Sequence, residues 1–251
     1  MRHIASVSFG KDSLAMLLKI IELGLPLNEV IFYNTGMEFD CIYRLRDQIK
    51  AMLEKLGIQF TELHPNEPFL YSMFERKIKY RYREGFHYGF SWCGGRCRWH
   101  TAFKIRTIKK YKDSINDEII DYVGIAYDEP HRFEKSQSEG KTLPLVDWEM
   151  TEKNCLEYCW NKGYHWYEQT TDDTIDLYQI LDRVSCWCCA NKNLKELKNI
   201  YLHLPNYWQR LKELQQKTDR PMKSSGSVFD LEKRFENEIK NRSDINDRGF
   251  L

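Results

Sequence analysis

The first sixty residues alternate short apolar strands with amphipathic helices, and that alternation leaves few folds open. Residues 2–8 read as a strand, carried by Ile4, Ala5 and Val7. A polar turn containing Gly10 follows, then a helical pattern at Leu14, Leu17, Leu18 and Ile21 that stops at Gly24. Residues 30–34 read as a second strand, 39–56 as a second helix stopped by Gly57, and 58–63 as a third strand. Strands separated by helices cannot pair as hairpins, so they form a parallel sheet through crossover connections. The expected fold is α/β: a doubly wound, mainly parallel sheet with helices on both faces, plus a helical C-terminal region.

Beyond Pro65 the pattern loosens. A helix is expected over 101–111, a strand over 119–125 and a loop over 126–143. Thr151 is placed to cap a helix running to Lys162, with Gly163 just beyond its end. Residues 193–217 read as helical and the remaining 34 as a polar, loosely attached tail. A length of 251 residues suits one main domain. The expected division is an α/β nucleotide-binding domain with a cysteine metal site over 1–190, and a helical extension with a charged tail over 191–251.

Hydrophobic residues make up 42% and charged residues 30%, which excludes a disordered chain. No run approaches the roughly 18 consecutive apolar residues of a membrane span, so no membrane partner is expected. The first residues lack the pattern of a secretory leader, and the expected location is the cytoplasm. In a reducing compartment, eight cysteines bind metal or carry redox chemistry more often than they form disulfides.

The turn Ser8-Phe9-Gly10-Lys11-Asp12-Ser13 lies between the first strand and first helix. There an α/β sheet presents backbone N–H groups and the positive end of a helix dipole to an anion. Ser8 and Ser13 supply hydroxyl donors, Gly10 lets the backbone approach closely, and Lys11 supplies a mobile, exposed positive charge. Asp12 serves either to orient the loop or to hold Mg2+. A plain strand-to-helix turn with a serine cap also accounts for such a hexapeptide; its place in a βαβ series is what favours a phosphate site.

Five cysteines fall in two groups, Cys93 and Cys97, then Cys186, Cys188 and Cys189. Two distant pairs can build one four-thiolate site, for zinc or for an iron–sulfur cluster. The expected ligands are Cys93, Cys97, Cys186 and Cys189; Cys188 competes with Cys189, and His100 is a further ligand candidate. Cys155 and Cys159, one helical turn apart among apolar residues, are expected in the core, as is Cys41. The net charge is only +1, but residues 76–112 hold twelve Lys or Arg against one acid, Glu84. Tyr80, Tyr82, Phe86, Tyr88, Phe90 and Trp92 are interleaved with them. That composition suits either a nucleic acid or the wall around one small nucleotide, and Arg96, Arg98 and Lys104 would bring an anion beside the first cysteine pair.

Several ordered motifs resemble one family. Ser8–Ser13 is similar to the SGGKDS loop of the PP-loop, or adenine nucleotide alpha hydrolase-like, superfamily, with Phe9 in place of the first glycine. Asn34-Thr35-Gly36-Met37-Glu38-Phe39 resembles the DTGxEF element of its phosphoadenosine phosphosulfate reductase branch, with Asn34 in place of Asp. Gly124-Ile125-Ala126-Tyr127-Asp128-Glu129, Arg132 and Pro144-Leu145-Val146-Asp147-Trp148 follow in the branch's order, although Ala126 stands where the branch has an arginine. The resemblance spans roughly residues 4–210.

It implies nucleotide contacts from Ser8, Phe9, Gly10, Lys11, Asp12, Ser13, Asn34, Thr35, Gly36, Glu38, Gly124 and Arg132. It also implies ATP with Mg2+, chemistry at Lys11, Asp12 and Ser13, and a 4Fe-4S cluster of the kind found in related sulfonucleotide reductases, with zinc as the alternative. The implied activity is that of an ATP pyrophosphatase, a transferase that adenylates a small anionic substrate in sulfur metabolism, with room for a sulfur-donor protein. Reduction of phosphoadenosine phosphosulfate or adenylyl sulfate ranks second: the branch keeps its attacking cysteine in a C-terminal motif, and no cysteine follows Cys189. A nucleotide- or RNA-binding module braced by metal is the third reading.

Overall fold

A computed structural model describes residues 1–94, 97, 101–132 and 140–248, the last with side chains to 241. Strand β1 (Arg2–Val7) leads through the polar turn into α1 (Lys11–Glu22), then β2 (Glu29–Tyr33), α2 (Asp40–Lys55) and β3 (Gln59–Leu63). The chain later returns through α3 (Thr101–Asp113) to β6 (Ile119–Val123) and β7 (Lys141–Thr142). These five strands form one parallel sheet in the order β3-β2-β1-β6-β7. Every residue of β2 is buried, as expected of a strand covered on both faces.

The order fixes where a ligand can enter. After β1 the chain moves outward to β2 and β3, then crosses back to the other side of β1 for β6. The loops leaving the carboxyl ends of β1 and β6 therefore diverge and open a crevice at this switch point. The Ser8–Ser13 turn leaves one strand and Gly124 follows the other.

Four sequence expectations need correction. The stretch 126–143, read as a loop, includes β7, whose two residues pair with Asp121 and Tyr122 and are too few to show a period. The helix expected over 193–217 is two, α6 (Leu194–His203) and α7 (Pro205–Gln216), because Pro205 cannot continue the first and starts the second. The expected loose tail contains α8 (Val228–Arg248), and Val228, Leu231 and Phe235 at helical spacing are buried. Phe235 lies 5.9 Å from the Tyr201 ring and 5.8 Å from the Trp208 ring, so α8 belongs to the packed core. Two hairpins went unread, β4 (Lys77–Lys79) with β5 (Phe86–Tyr88) and β8 (Tyr167–Gln169) with β9 (Thr174–Asp176).

Thr151 does cap its helix: it and Asn154 form a reciprocal capping box at the start of α5 (Glu152–Asn161), which follows the single turn α4 (Pro144–Asp147). Helix α5 packs on α1 with Cys155 and Cys159 buried between apolar neighbours. One hydrophobic cluster runs from Ala5 to Phe235. Among the described residues, no helix is long and apolar enough to cross a membrane.

Candidate functional site at the sheet switch point

The turn after β1 is held from below by residues far along the chain. Trp166 donates its indole N–H to the Phe9 carbonyl at 2.8 Å, and the Tyr178 hydroxyl accepts the Lys11 amide at 2.9 Å. Trp166 and Tyr178 brace each other edge to face, 4.7 Å between centroids. Neither was visible as a site residue in the sequence, because nothing local marks an aromatic that buttresses a loop.

Phe9 takes the left-handed conformation with φ 58°, while Gly10 has an ordinary φ of −74°. The ring of Phe9 is fully buried, 5.0 Å from Phe32. Its substitution for the first glycine of the related loop thus exchanges backbone ease for core packing.

Ser8 and Ser13 face each other with hydroxyl oxygens 3.1 Å apart, and the Ser13 oxygen also accepts the Ser8 amide at 3.1 Å. Lys11, expected on an exposed loop, is instead the first residue of α1 and only 6% exposed. Its ammonium pairs with Asp12 at 2.9 Å and with Glu152 at 2.7 Å. Burial opposes the Lys11 charge, but Asp12 and Glu152 more than offset it and hold its pKa above the usual lysine range. Burial raises the Asp12 carboxyl against the pull of Lys11, with Glu152 and Glu129 adding to the rise. The loop therefore carries a cation fixed by two carboxylates, which a triphosphate can displace or share.

Gly124 closes the crevice from β6. A methyl group at this position would stand 2.9 Å from the Cα of Ser13, so only glycine lets the two loops touch. Beyond it, the Asp128 carboxylate accepts the Glu152 amide at 2.9 Å, and Glu129 is held by Arg132 and, at 3.2 Å, by Arg183. Burial pushes Glu129 up, yet these two guanidiniums bring it below the usual carboxylate range. Arg132 is thus exposed and engaged with Glu129, and Ala126 is fully buried and presents no cation.

The second motif builds its own turn. Asn34 accepts the Gly36 amide at 2.8 Å and donates to Glu62 at 2.7 Å; Thr35 accepts the Met37 amide at 3.1 Å and donates to Glu38 at 2.9 Å. This turn lines a cavity of about 480 Å3 beside His64 and Pro65, outside the ends of β2 and β3. It also meets the cysteines: Trp187 donates its amide to the Met37 carbonyl at 3.1 Å, and the Cys186 sulfur lies 3.9 Å from both Thr35 Oγ1 and Glu38 Oε1.

All five clustered cysteines, Cys93, Cys97, Cys186, Cys188 and Cys189, line one cavity of about 340 Å3. Burial pushes the Cys186 thiol well up, with Glu38, Cys188 and Cys189 adding, and burial likewise raises Cys188. Glu38 is raised by burial against Thr35, Lys104 and Lys192; Lys104 is lowered by burial against Glu38 and Cys186. Lys192, also missed in the sequence, is 3% exposed and points its ammonium at the Arg183 carbonyl, 3.3 Å away. Among the described residues, no three His, Cys, Asp or Glu side chains form a single-ion cage. The donor set nevertheless fits a larger thiolate-held centre, since a bound metal cation stabilises thiolates that burial otherwise disfavours. Arg96, Arg98 and His100 lie outside the described residues. Cys41, Cys155 and Cys159 are buried apart from this cavity, in the core positions expected for them.

Parallel topology, a serine- and lysine-bearing turn at the switch point and a glycine-closed opposite wall define a nucleotide-using α/β enzyme domain of the PP-loop class. A family model described as the phosphoadenosine phosphosulfate reductase domain matches residues 2–166, and the chain belongs to that family. It is 23% identical over 226 residues to an uncharacterized protein of Methanocaldococcus jannaschii, across 82% of this chain and 40% of that protein. The chain therefore spans less than half the length of that relative.

Proposed function

We propose that this protein cleaves ATP between its α and β phosphates and transfers the adenylyl group to a small substrate, in sulfur metabolism or sulfur transfer. The observation that carries the reading is the Lys11 ammonium, locked at the N-terminal end of α1 by Asp12 and Glu152 beside the paired Ser8 and Ser13 hydroxyls. A nucleophilic oxygen of the substrate forms a bond to the α-phosphorus as the bond to the bridging oxygen breaks. That electron pair leaves with pyrophosphate, and the substrate proton passes to solvent. Lys11, Ser8, Ser13 and the positive end of α1 stabilise the charge developing on the leaving group, which requires no covalent nucleophile.

Asp12 would hold Mg2+ brought in with the triphosphate once Lys11 turns to the phosphates. Cys93, Cys97, Cys186 and Cys189 would hold an iron–sulfur cluster, with Cys188 lining the same cavity. Such a cluster supplies electron-transfer or sulfur-handling chemistry, whereas zinc would brace the fold. Contact of Cys186 with Thr35 and Glu38 supports a link between the thiol cavity and the nucleotide crevice.

The test is pyrophosphate release from ATP in the presence of candidate acceptors, for the wild-type chain and Lys11→Met. Release that depends on the acceptor and is lost in the variant supports adenylation. Sulfite formed from adenylyl sulfate and added thiol, with no pyrophosphate from ATP, replaces this reading by the reductive one. An anaerobic absorption spectrum with elemental analysis separates an iron–sulfur cluster from zinc.

A further inference from the structure

The β4–β5 hairpin has no role in the site above and carries side chains that folding does not explain. Its register sets Lys77 opposite Tyr88 and Lys79 opposite Phe86, while Ile78 and His87 alternate to the other face. One face of the ribbon is therefore two lysines interleaved with two aromatic rings. Phe86 is 50% and Tyr88 67% exposed, and at the tip Tyr82 is 87% exposed. Aromatic rings placed in the core contribute to stability through burial; these contribute little.

The cations around them lie over ring faces. Lys77 stands 4.2 Å from the Phe86 centroid, Arg83 3.8 Å from Tyr80, and Arg81 5.2 Å from Tyr82. At the hairpin base, Arg76 pairs with Glu67 at 2.6 Å and opens onto a cavity of about 290 Å3 with Arg106, Lys110 and Phe103 in its wall. Three cations there face one carboxylate, and α3 continues the basic surface with no buried residue of its own.

We infer that this hairpin and the cavity at its base bind a single-stranded nucleic acid, bases stacking on Tyr82, Phe86 and Tyr88 and phosphates meeting Lys77, Arg81, Arg83 and Arg106. Planar rings alternating with cations suit a strand that alternates bases with phosphates. A membrane-surface element would instead gather aliphatic residues and tryptophan on one face. Placement adds a reason: Met73, just before β4, and Trp92, just after β5, both line the thiol cavity. Gly89 ties the two together, because a methyl group there would stand 2.0 Å from the Met73 carbonyl oxygen. A strand held on the hairpin lies beside the opening of that cavity.

The experiment is fluorescence anisotropy of the full chain with labelled single-stranded RNA and DNA of about 20 nucleotides and with the matching duplex, across a salt series. The expected result is tighter binding of a single strand than of the duplex, weakening log-linearly with salt. Tyr82→Ala with Tyr88→Ala should lower affinity by roughly 10- to 100-fold, from lost stacking on two rings. Arg81→Gln with Arg83→Gln should flatten the salt slope by about one unit. Lys153→Ala, whose side chain is 82% exposed on α5, should change neither. Tight duplex preference, no binding at low salt, or equal loss in Lys153→Ala overturns the assignment. So does binding of anionic lipid vesicles that depends on Tyr82 and Tyr88 while RNA and DNA do not bind. ATP titrations of the same variants keep the two readings separate: lost strand binding with intact ATP binding supports the hairpin's role, and strand binding in a chain that ignores ATP leaves it standing while sinking adenylation.

Discussion

Phe9 sets two physical effects against each other at the phosphate loop, and two substitutions separate them. Its ring is fully buried against Phe32, so Phe9→Ala should cost about 3–5 kcal/mol, the range for emptying a core phenylalanine site. Its backbone sits at φ 58°, which costs a residue with a Cβ roughly 1–2 kcal/mol. Phe9→Gly removes that strain while giving up one further buried methyl worth about 0.8 kcal/mol. The glycine variant, although smaller, should therefore be the more stable of the two by roughly 0.2–1.2 kcal/mol. In urea, with a slope of about 3 kcal/mol/M, the alanine variant unfolds roughly 1–1.7 M earlier than wild type, and the glycine variant a few tenths of a molar later than alanine. A glycine variant less stable than alanine refutes the strain; an alanine variant as stable as wild type refutes the packing.

Three further outcomes follow from the site. Gly124→Ala forces the β6 loop away from Ser13 and should cost about 1–3 kcal/mol together with most ATP affinity, read by urea unfolding and calorimetry. Wild-type ATP binding in that variant would show that the contact is not needed. The Lys11 pKa is raised in the folded chain, so its contribution to stability is complete below the ordinary 10.5 and is lost as pH rises through the higher folded value. Neither ATP affinity nor stability should change through loss of the Lys11 charge between neutral pH and about pH 10; a fall near neutrality that Lys11→Met abolishes would contradict this. Cys186→Ser and Cys189→Ser should each lose most bound iron or zinc after anaerobic purification, while Cys155→Ser keeps it; full metal content in both of the first two would remove them as ligands.

The sheet was legible because its message is periodic. Apolar runs broken by Gly24 and Gly57 identified three strands and two helices, and a turn of fixed composition located the crevice. Paired spacing exposed the cysteines, which the fold gathers in one cavity although about 90 residues separate the groups. What stayed hidden depends on contacts rather than pattern. Lys11 looked solvent-exposed because its partner Glu152 is supplied by a helix far along the chain, and Tyr178 and Trp166 reach the loop from segments with no local signature. Helix α8 was obscured by its charged outer face, which hid Val228, Leu231 and Phe235 among polar neighbours. The two-residue strand β7 and the short hairpins have too few residues for a period to emerge.

Calorimetric titration with adenosine, AMP and Mg2+–ATP tests the loop most directly. If the Ser8–Ser13 turn holds the triphosphate, affinity rises steeply from adenosine to ATP, and Lys11→Met erases the ATP advantage while leaving the weak adenosine heat unchanged. ATP binding no tighter than adenosine, or an ATP affinity indifferent to Lys11, would mean that the nucleotide is held somewhere else.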